Sequence, residues 1–342
     1  MDTDWIDLTP TGFQLKSTNS NVNSDHAPYI YVAIRRADGW VAKPADAGTD
    51  VFAMDYGSGS TNIPTFDSGF PVDFGFYRIP TQAQDFTEGA RLTGTKYLLT
   101  NATNSEADNA YHLWDSNLGW SKGHSSSYLS WMWKRGPGFD AVTYEGNSDS
   151  TRIIRHSLGA APDMMWIKNR DASTNWLVGH HGLNEGTNPW NHYIYLNTSD
   201  ASGEYDFFAN KAPTAYSFEV STAIANDTNN SYIALLFKSI TGISKVGSYT
   251  GSGSGNTQTI TTGFQPRFVI IKDYTGGSNP WYVLDTTRGW ASGNDDILQL
   301  NDTAAALTGN DWGEPTATGF TVTGNGINLN TSSNKYIYYA HA

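Results

Sequence analysis

No cysteine occurs in the 342 residues, so no disulfide staples this fold, and its stability has to come from packing. Charge is sparse as well, at 16% of residues, and the basic sign is the scarcer: 21 Lys and Arg against 33 Asp and Glu, a net charge of −12. That balance excludes nucleic-acid binding driven by phosphates and attachment to an anionic membrane surface, and it favours solubility. No apolar run reaches membrane-spanning length. Residues 1–20 have neither a basic n-region nor an apolar h-region, so the chain is expected to carry no export signal of its own. Helix signals are nearly missing; Thr303–Leu307 and Glu106–Tyr111 each offer one turn at most.

What is present is β chemistry. Aromatics make up 13% of the chain, glycine occurs 34 times, and Asn, Ser and Thr are abundant, which means many short strands joined by many turns. The length suits two or three domains. The run Tyr232–Phe237 is apolar almost throughout, as a strand buried on both faces would be, and the turn residues Thr241 and Gly242 lead into a second strand. The same junction recurs at 130–147 and 29–59, and the chain stops on a related strand, Tyr336–Ala342.

These junctions mark internal repetition. Tyr144 and Tyr249 lie 105 apart, as do Trp176 and Trp281; Pro162 and Pro266, Lys168 and Lys272, Asn197 and Asn301, and Tyr232 and Tyr336 lie 104 apart. The shared order predicts two equivalent copies of an antiparallel β-sandwich, jelly-roll or lectin-like, of about 100 residues. In Phe268–Lys272 the run should be buried and its last residue should reach solvent. A looser copy is visible upstream, where Ser68 to Pro71 matches Thr262 to Pro266 and Leu99 to Asn101 matches the Leu-Asn turn. Residues 4–36 repeat only the second half of a unit: Trp5, Phe13 and Tyr29 have the spacing of Trp312, Phe320 and Tyr336. The expected division is 1–36 as a half unit, 37–138 as a degenerate sandwich, and 139–241 and 242–342 as full ones. The half unit, with Phe13, Leu15, Ile30 and Val32, is expected to complete a sheet with strands from outside itself.

Candidate chemistry is thin. Glu204 and Asp206 share a strand face as glycosidase carboxylates do, but Phe208 breaks the alternation, and an ordinary strand edge is the better reading. His180 and His181, on opposite strand faces, are poorly placed to share a metal, even with His156 and His192 nearby in sequence. Asp55, Asp200, Asp206, Asp295 and Asp296 sit in turn-rich loops that can supply oxygens to calcium, yet no twelve-residue calcium loop is present and turn formation is the default. No metal site and no catalytic residue is assigned. Trp190 and Trp290 follow turn residues, and with Asn188 they form the candidate sugar-binding set, with aromatic faces for stacking and an amide for hydroxyls. Asn101, Asn197 and Asn301 each begin an Asn-x-Ser/Thr acceptor pattern, but at one shared turn, which explains them without a glycan. No Ser–His–Asp set, phosphate loop or CxxC is found.

The wording of Ser130–Asp140 (SWMWKRGPGFD), His156–Pro162 (HSLGAAP), Gly242–Tyr249 (GISKVGSY) and Lys335–Ala342 (KYIYYAHA) resembles a repeated β-domain of large structural or fibre-like proteins of marine tailed bacteriophages. The resemblance covers nearly the whole chain and implies a non-enzymatic virion component: an appendage, fibre or capsid-decoration module made in the host cytoplasm. Its partners would be copies of itself, other virion proteins and host-surface glycans; the acidic charge argues against nucleic acid and membrane, and no cofactor is expected unless the turn aspartates hold calcium. It implies no catalytic residue. The alternative is a carbohydrate-binding protein or glycoside-active enzyme of β-sandwich fold. The missing carboxylate alternation speaks against the enzyme.

Overall fold

The computed structural model describes residues 45–342 except 222, 254 and 325, and, from the first 44, residues 6–9, 12–15, 20–24, 27–29 and 31. The chain divides into two compact units, Met1–Pro44 and Ala45–Ala342. Among the described residues the protein is all-β. Its helical content is one α-turn, Ser20–Asn23, and six short 3-10 turns. Neither segment with a weak helix signal is helical: the first holds the strand Ala107–Asp108, and the second is irregular up to Leu307, where the strand Leu307–Asn310 begins.

Three six-stranded antiparallel sheets build the larger unit, and all three follow one strand order. The first runs Phe52–Tyr56, Leu129–Trp133, Phe74–Arg78, Thr87–Ala90, Lys96–Leu99, Ala107–Asp108. The second runs Phe139–Glu145, Ser231–Phe237, Met164–Asn169, Leu177–His180, His192–Tyr195, Gly203–Glu204. The third runs Ser244–Thr250, Lys335–His341, Phe268–Asp273, Trp281–Asp285, Asp295–Gln299, Leu307–Asn310. Each sheet thus opens with a strand that pairs with the segment's last strand, as Tyr144 opposite Tyr232 and Tyr249 opposite Tyr336 show. Those rings stack, at 4.9 Å in the second sheet and 4.6 Å in the third.

A small outer sheet accompanies each large one: Phe66–Asp67 with Gly119–Trp120, Arg152–Arg155 with Ser217–Val220, and Gln258–Thr261 with Gly319–Val322, the last extended by Pro315–Thr316. Gly119 and Gly319 are needed where the outer strands meet, because a Cβ there would collide with the carbonyls of Phe66 and Ile260.

Side-chain alternation gives the central strands two buried faces. Phe66, Tyr77, Trp120 and Met132 pack in an outer core of the first sheet. Met165, Ile167, Leu236 and Phe218 do so for the second, and Val269, Ile271, Trp290 and Phe320 for the third. The opposite faces do not form three further cores. Phe52, Phe74 and Trp133, Trp166 and Phe237, and Phe268 and Tyr339 belong to one continuous cluster at which all three sheets meet. Ring contacts cross every boundary: Phe74 to Phe139 at 5.7 Å, Phe237 to Tyr339 at 5.0 Å, and Phe268 to Phe52 at 5.1 Å. Tyr232–Phe237 is the doubly buried strand expected from its composition.

In the first 44 residues, Ile6–Thr9 and Gly12–Leu15 form a hairpin pairing Leu8 with Phe13 and Thr9 with Gly12. The strands Pro315–Thr316 and Gly319–Val322 pair Pro315 with Phe320 and Thr316 with Gly319, at the same spacing. Trp5, Ile30 and residues 32–36 lie outside the described residues, and with them the expected closing strand. Tyr29 and Tyr31 are described and are in no strand.

Candidate functional site

The sugar-binding set expected from the sequence is not assembled. Trp190 is 6% exposed and packs edge-on to Phe208, with ring centroids 5.7 Å apart. Trp290 is 2% exposed, donates from Nε1 to the Gly313 carbonyl at 2.7 Å, and meets Phe320 edge-on. Following a turn residue therefore did not mean facing water: both indoles turn back into the outer cores of their sheets. Gly179 makes room for Trp190, since a Cβ there would lie 2.9 Å from its ring. Asn188 alone of the three is exposed, with left-handed backbone (φ 45°) at the start of a 3-10 turn.

The other candidates resolve into structural roles. The strand ends at Glu204, Phe208 is fully buried, and Asp206 accepts the Ala209 N–H in a turn through its carbonyl, so Glu204 and Asp206 are not a pair on one strand face. His180 and His181 come together rather than apart, edge-on at 5.0 Å, because the strand stops at His180. His180 Nδ1 accepts the Gly182 N–H. Among the described residues no three His, Cys, Asp or Glu are grouped to hold a metal ion. Asp55 accepts the Asp67 N–H, and Asp295 accepts those of Ala291 and Trp312. Burial pushes the Asp295 carboxyl up to about 6.

Asn101, Asn197 and Asn301 share one task. Their Oδ1 atoms accept the backbone N–H of Phe86, Trp176 and Trp281 at 2.9, 2.8 and 2.8 Å. Phe86 therefore occupies in the first sheet the place of the two tryptophans, an equivalence its residue type conceals. Asn101 and Asn197 also donate from Nδ2, the atom a glycan would take, to Asp85 and Asn175.

These turns lead to the group of functional residues that sequence reasoning missed. Each turn lies against the next sheet, and a buried cation holds it there. Lys168 Nζ donates to the Thr103 carbonyl of the first sheet's turn at 3.1 Å, and also to Asn169 and Ala172. Lys272 Nζ donates to the Ser199 carbonyl of the second sheet's turn at 3.0 Å, and also to Asn279. Arg78 closes the ring, donating to the carbonyls of Asp302, Thr303 and Ala304 at 3.3, 3.0 and 2.8 Å. The three cations sit at one register position: Arg78 lies opposite Leu129, Lys168 opposite Ile233 and Lys272 opposite Ile337. All are 0% exposed, which corrects the expectation that Lys272 ends its strand in water. Burial pushes both lysines down to about 8. The available signal was the Ile-Lys ending shared by Met164–Asn169 and Phe268–Asp273, but a strand-end lysine usually reaches water.

The seams carry further bonds. Trp176 Nε1 donates to the Leu99 carbonyl at 2.8 Å and Trp281 Nε1 to that of Tyr195 at 2.9 Å. At the third seam, where Phe86 has no such donor, Thr100 donates its hydroxyl to the Leu300 carbonyl at 3.0 Å. Arg170 and Glu106 add a two-pronged ion pair, at 2.7 and 3.1 Å, between the first and second sheets. Trp281→Phe removes the indole N–H, orphaning the Tyr195 carbonyl, and leaves a small cavity at a buried site, and should lower stability by at least about 1–3 kcal/mol, read as the shift in a urea unfolding midpoint.

Chemically, these groups hold carbonyls and position turns, and they lie in no open cleft. No curated protein and no solved structure matches the chain. A family model described as a domain of unknown function, DUF7483, matches residues 56–342, a span that takes in nearly all of the three-sheet unit. The chain belongs to the DUF7483 family.

Proposed function

We propose that the chain is a non-catalytic structural component of a phage virion, an appendage, fibre or capsid-decoration module, whose main body consists of tandem jelly-roll-like copies of one β unit of about 100 residues. The common strand order and the matched turn asparagines support the repeat. The observation that carries the function is the closed cycle of seams, in which each sheet grips the turn of another through a buried cation. Such closure makes a rigid block with its polar chemistry spent on cohesion, which suits a load-bearing part better than an enzyme. The virion assignment itself comes from the resemblance of the four quoted segments.

Mass spectrometry and immunogold labelling of purified particles test this reading. The chain should be present at a fixed copy number on the particle. Particles that lack it would remove the virion assignment. Polysaccharide turnover by the purified protein, abolished by Glu204→Gln, would remove the non-catalytic one. A module on a particle surface is also placed to meet host-surface glycans, and one surface of the second sheet fits that task.

A further inference from the structure

Four aromatic rings line the outer edge of the second sheet. Tyr205 and Phe207 have centroids 4.5 Å apart, Phe207 and Tyr193 4.9 Å, and Tyr193 and Tyr195 5.0 Å. Tyr205 is 49% exposed, Tyr193 and Tyr195 are half-buried, and Phe207 is the buried floor. We propose that this strip is a binding platform for a neutral saccharide chain.

Three observations carry the proposal. The first is that the full strip is particular to the second sheet, where Phe207 belongs to the outer core and Tyr193 and Tyr195 pack against it. Tyr193 pairs with Gly203; at the same place the third sheet pairs Ile297 with Leu307, and the first pairs Tyr97 with Ala107. Ile297 is wholly buried, so the third sheet closes this edge with an aliphatic side chain.

The second is that the strip is built. A Cβ on Gly203 would lie 2.7–2.8 Å from the end of the Tyr193 ring, so only glycine lets that ring lie across the edge strand. An aromatic ring held against backbone offers its other face outward. Such faces suit the C–H faces of pyranose rings, and the ring spacing is close to the length of one sugar residue.

The third is charge and hydrogen-bonding character. The acids at the strip are Asp200, Glu204 and Asp206, and the chain has no Lys or Arg between Arg170 and Lys211. Asp200 and Asn175 both bear on the Tyr195 hydroxyl. Glu204 and Asp206, on either side of Tyr205 in the chain, are exposed. Carboxylates, an amide and phenols suit sugar hydroxyls, and the acidic surroundings repel sulfated or uronate polymers.

The proposal takes from the virion reading only the source of the glycan, so the two fail separately. Affinity electrophoresis of the full chain in gels containing a soluble β-glucan, mannan, xylan or galactan tests it, with dextran sulfate and alginate as anionic comparisons. At least one neutral polymer should retard the protein and the anionic ones should not. Tyr205→Ala, at an exposed position, should weaken that retardation at least tenfold. Tyr111→Ala, at an exposed tyrosine of the first sheet's segment, should leave it unchanged. Circular dichroism should show both variants folded. Failure of every neutral polymer to retard the protein overturns the proposal. So does retardation insensitive to Tyr205→Ala, or equal retardation by dextran sulfate. Retardation by a neutral polymer in a protein absent from particles overturns the virion reading alone.

Discussion

Asp285→Ala is expected to lower the unfolding free energy by about 3–5 kcal/mol, the usual result of leaving one member of a buried ion pair behind. Asp285 is 0% exposed and sits where three donors converge. Its Oδ1 accepts the Arg288 N–H at 2.9 Å; its Oδ2 accepts Arg288 Nε at 2.7 Å and Trp131 Nε1 at 3.1 Å. The indole comes from the first sheet, so the carboxylate joins two sheets. Truncation takes the counter-charge from a guanidinium whose side chain is 1% exposed, leaving it only the carbonyls of Val283 and Asp296, and takes the acceptor from a buried indole N–H. The register position does not demand an acid: opposite Phe268 stands Asp285, but opposite Met164 stands His180 and opposite Phe74 stands Ala90. The double variant Asp285→Leu with Arg288→Met, which removes both charges, should recover part of the loss. Urea midpoints check both, and a loss under about 1 kcal/mol for the single variant would mean that the pair contributes little, as exposed pairs do.

Stability is expected to peak near pH 6.5 and to fall by several kcal/mol on acidification to pH 4.5, because histidines are buried in neutral form. Burial pushes His112 and His124 down to about 4 and His341 down to about 3, and it holds His180 well below the ordinary value of 6.5. Above 6.5 neither state carries the proton. Below it the unfolded chain takes up protons that the folded one refuses, so stability is lost as pH falls towards the folded values. Over the two pH units from 6.5 to 4.5 each such histidine costs about 3 kcal/mol at most. Three acids work in the opposite direction, Asp55 being raised by burial alongside Glu88 and Asp295. Burial pushes Glu88 up to about 8, so between 4.5 and 8 the unfolded chain ionises first and stability falls as pH rises. Asp295, raised to about 6, acts likewise between 3.8 and 6. His156 and His181 are lowered by burial as well, and together the histidines outweigh the acids on the acid side. Between 6.5 and 8 Glu88 lowers stability, opposed only near pH 8 as Lys168 and Lys272 reach their folded values of about 8. Glu88 lies opposite Phe76 at the register where the other sheets place Val178 and Val283, and its Oε2 has no hydrogen-bond partner among the described residues. Unfolding midpoints at pH 8, 6.5 and 4.5 decide the matter; a rise or a plateau from 6.5 to 4.5 would contradict it.

Strand positions were easy to read where local chemistry dictates them. Tyr232–Phe237 announced itself by composition, and Ser68 and Thr262 marked one turn twice, each donating its hydroxyl to the carbonyl two residues on, that of Phe70 or Phe264, at 2.6 Å. The asparagine of the Leu-Asn turn was visible as a repeated letter, and the structure gives it a bond. The site readings fared worse. Trp190 and Trp290 were placed by their preceding turn residues, but a turn fixes only where the backbone bends. Which way the indole then swings depends on Gly179, Phe208, Gly313 and Phe320, none of them adjacent in sequence.

By itself the sequence determined the β class, the turns, and which residues alternate to either side of each strand, because these follow from neighbours one to four residues apart. What lies beyond each face was decided by tertiary structure. The inner faces of the sheets meet in one core, and Arg78, Lys168 and Lys272 are buried because another sheet's turn closes over them. Alternation encodes that a side chain points inward. The partner that covers it comes from as far as 226 residues away, as Ala304 covers Arg78, and no local pattern carries that information.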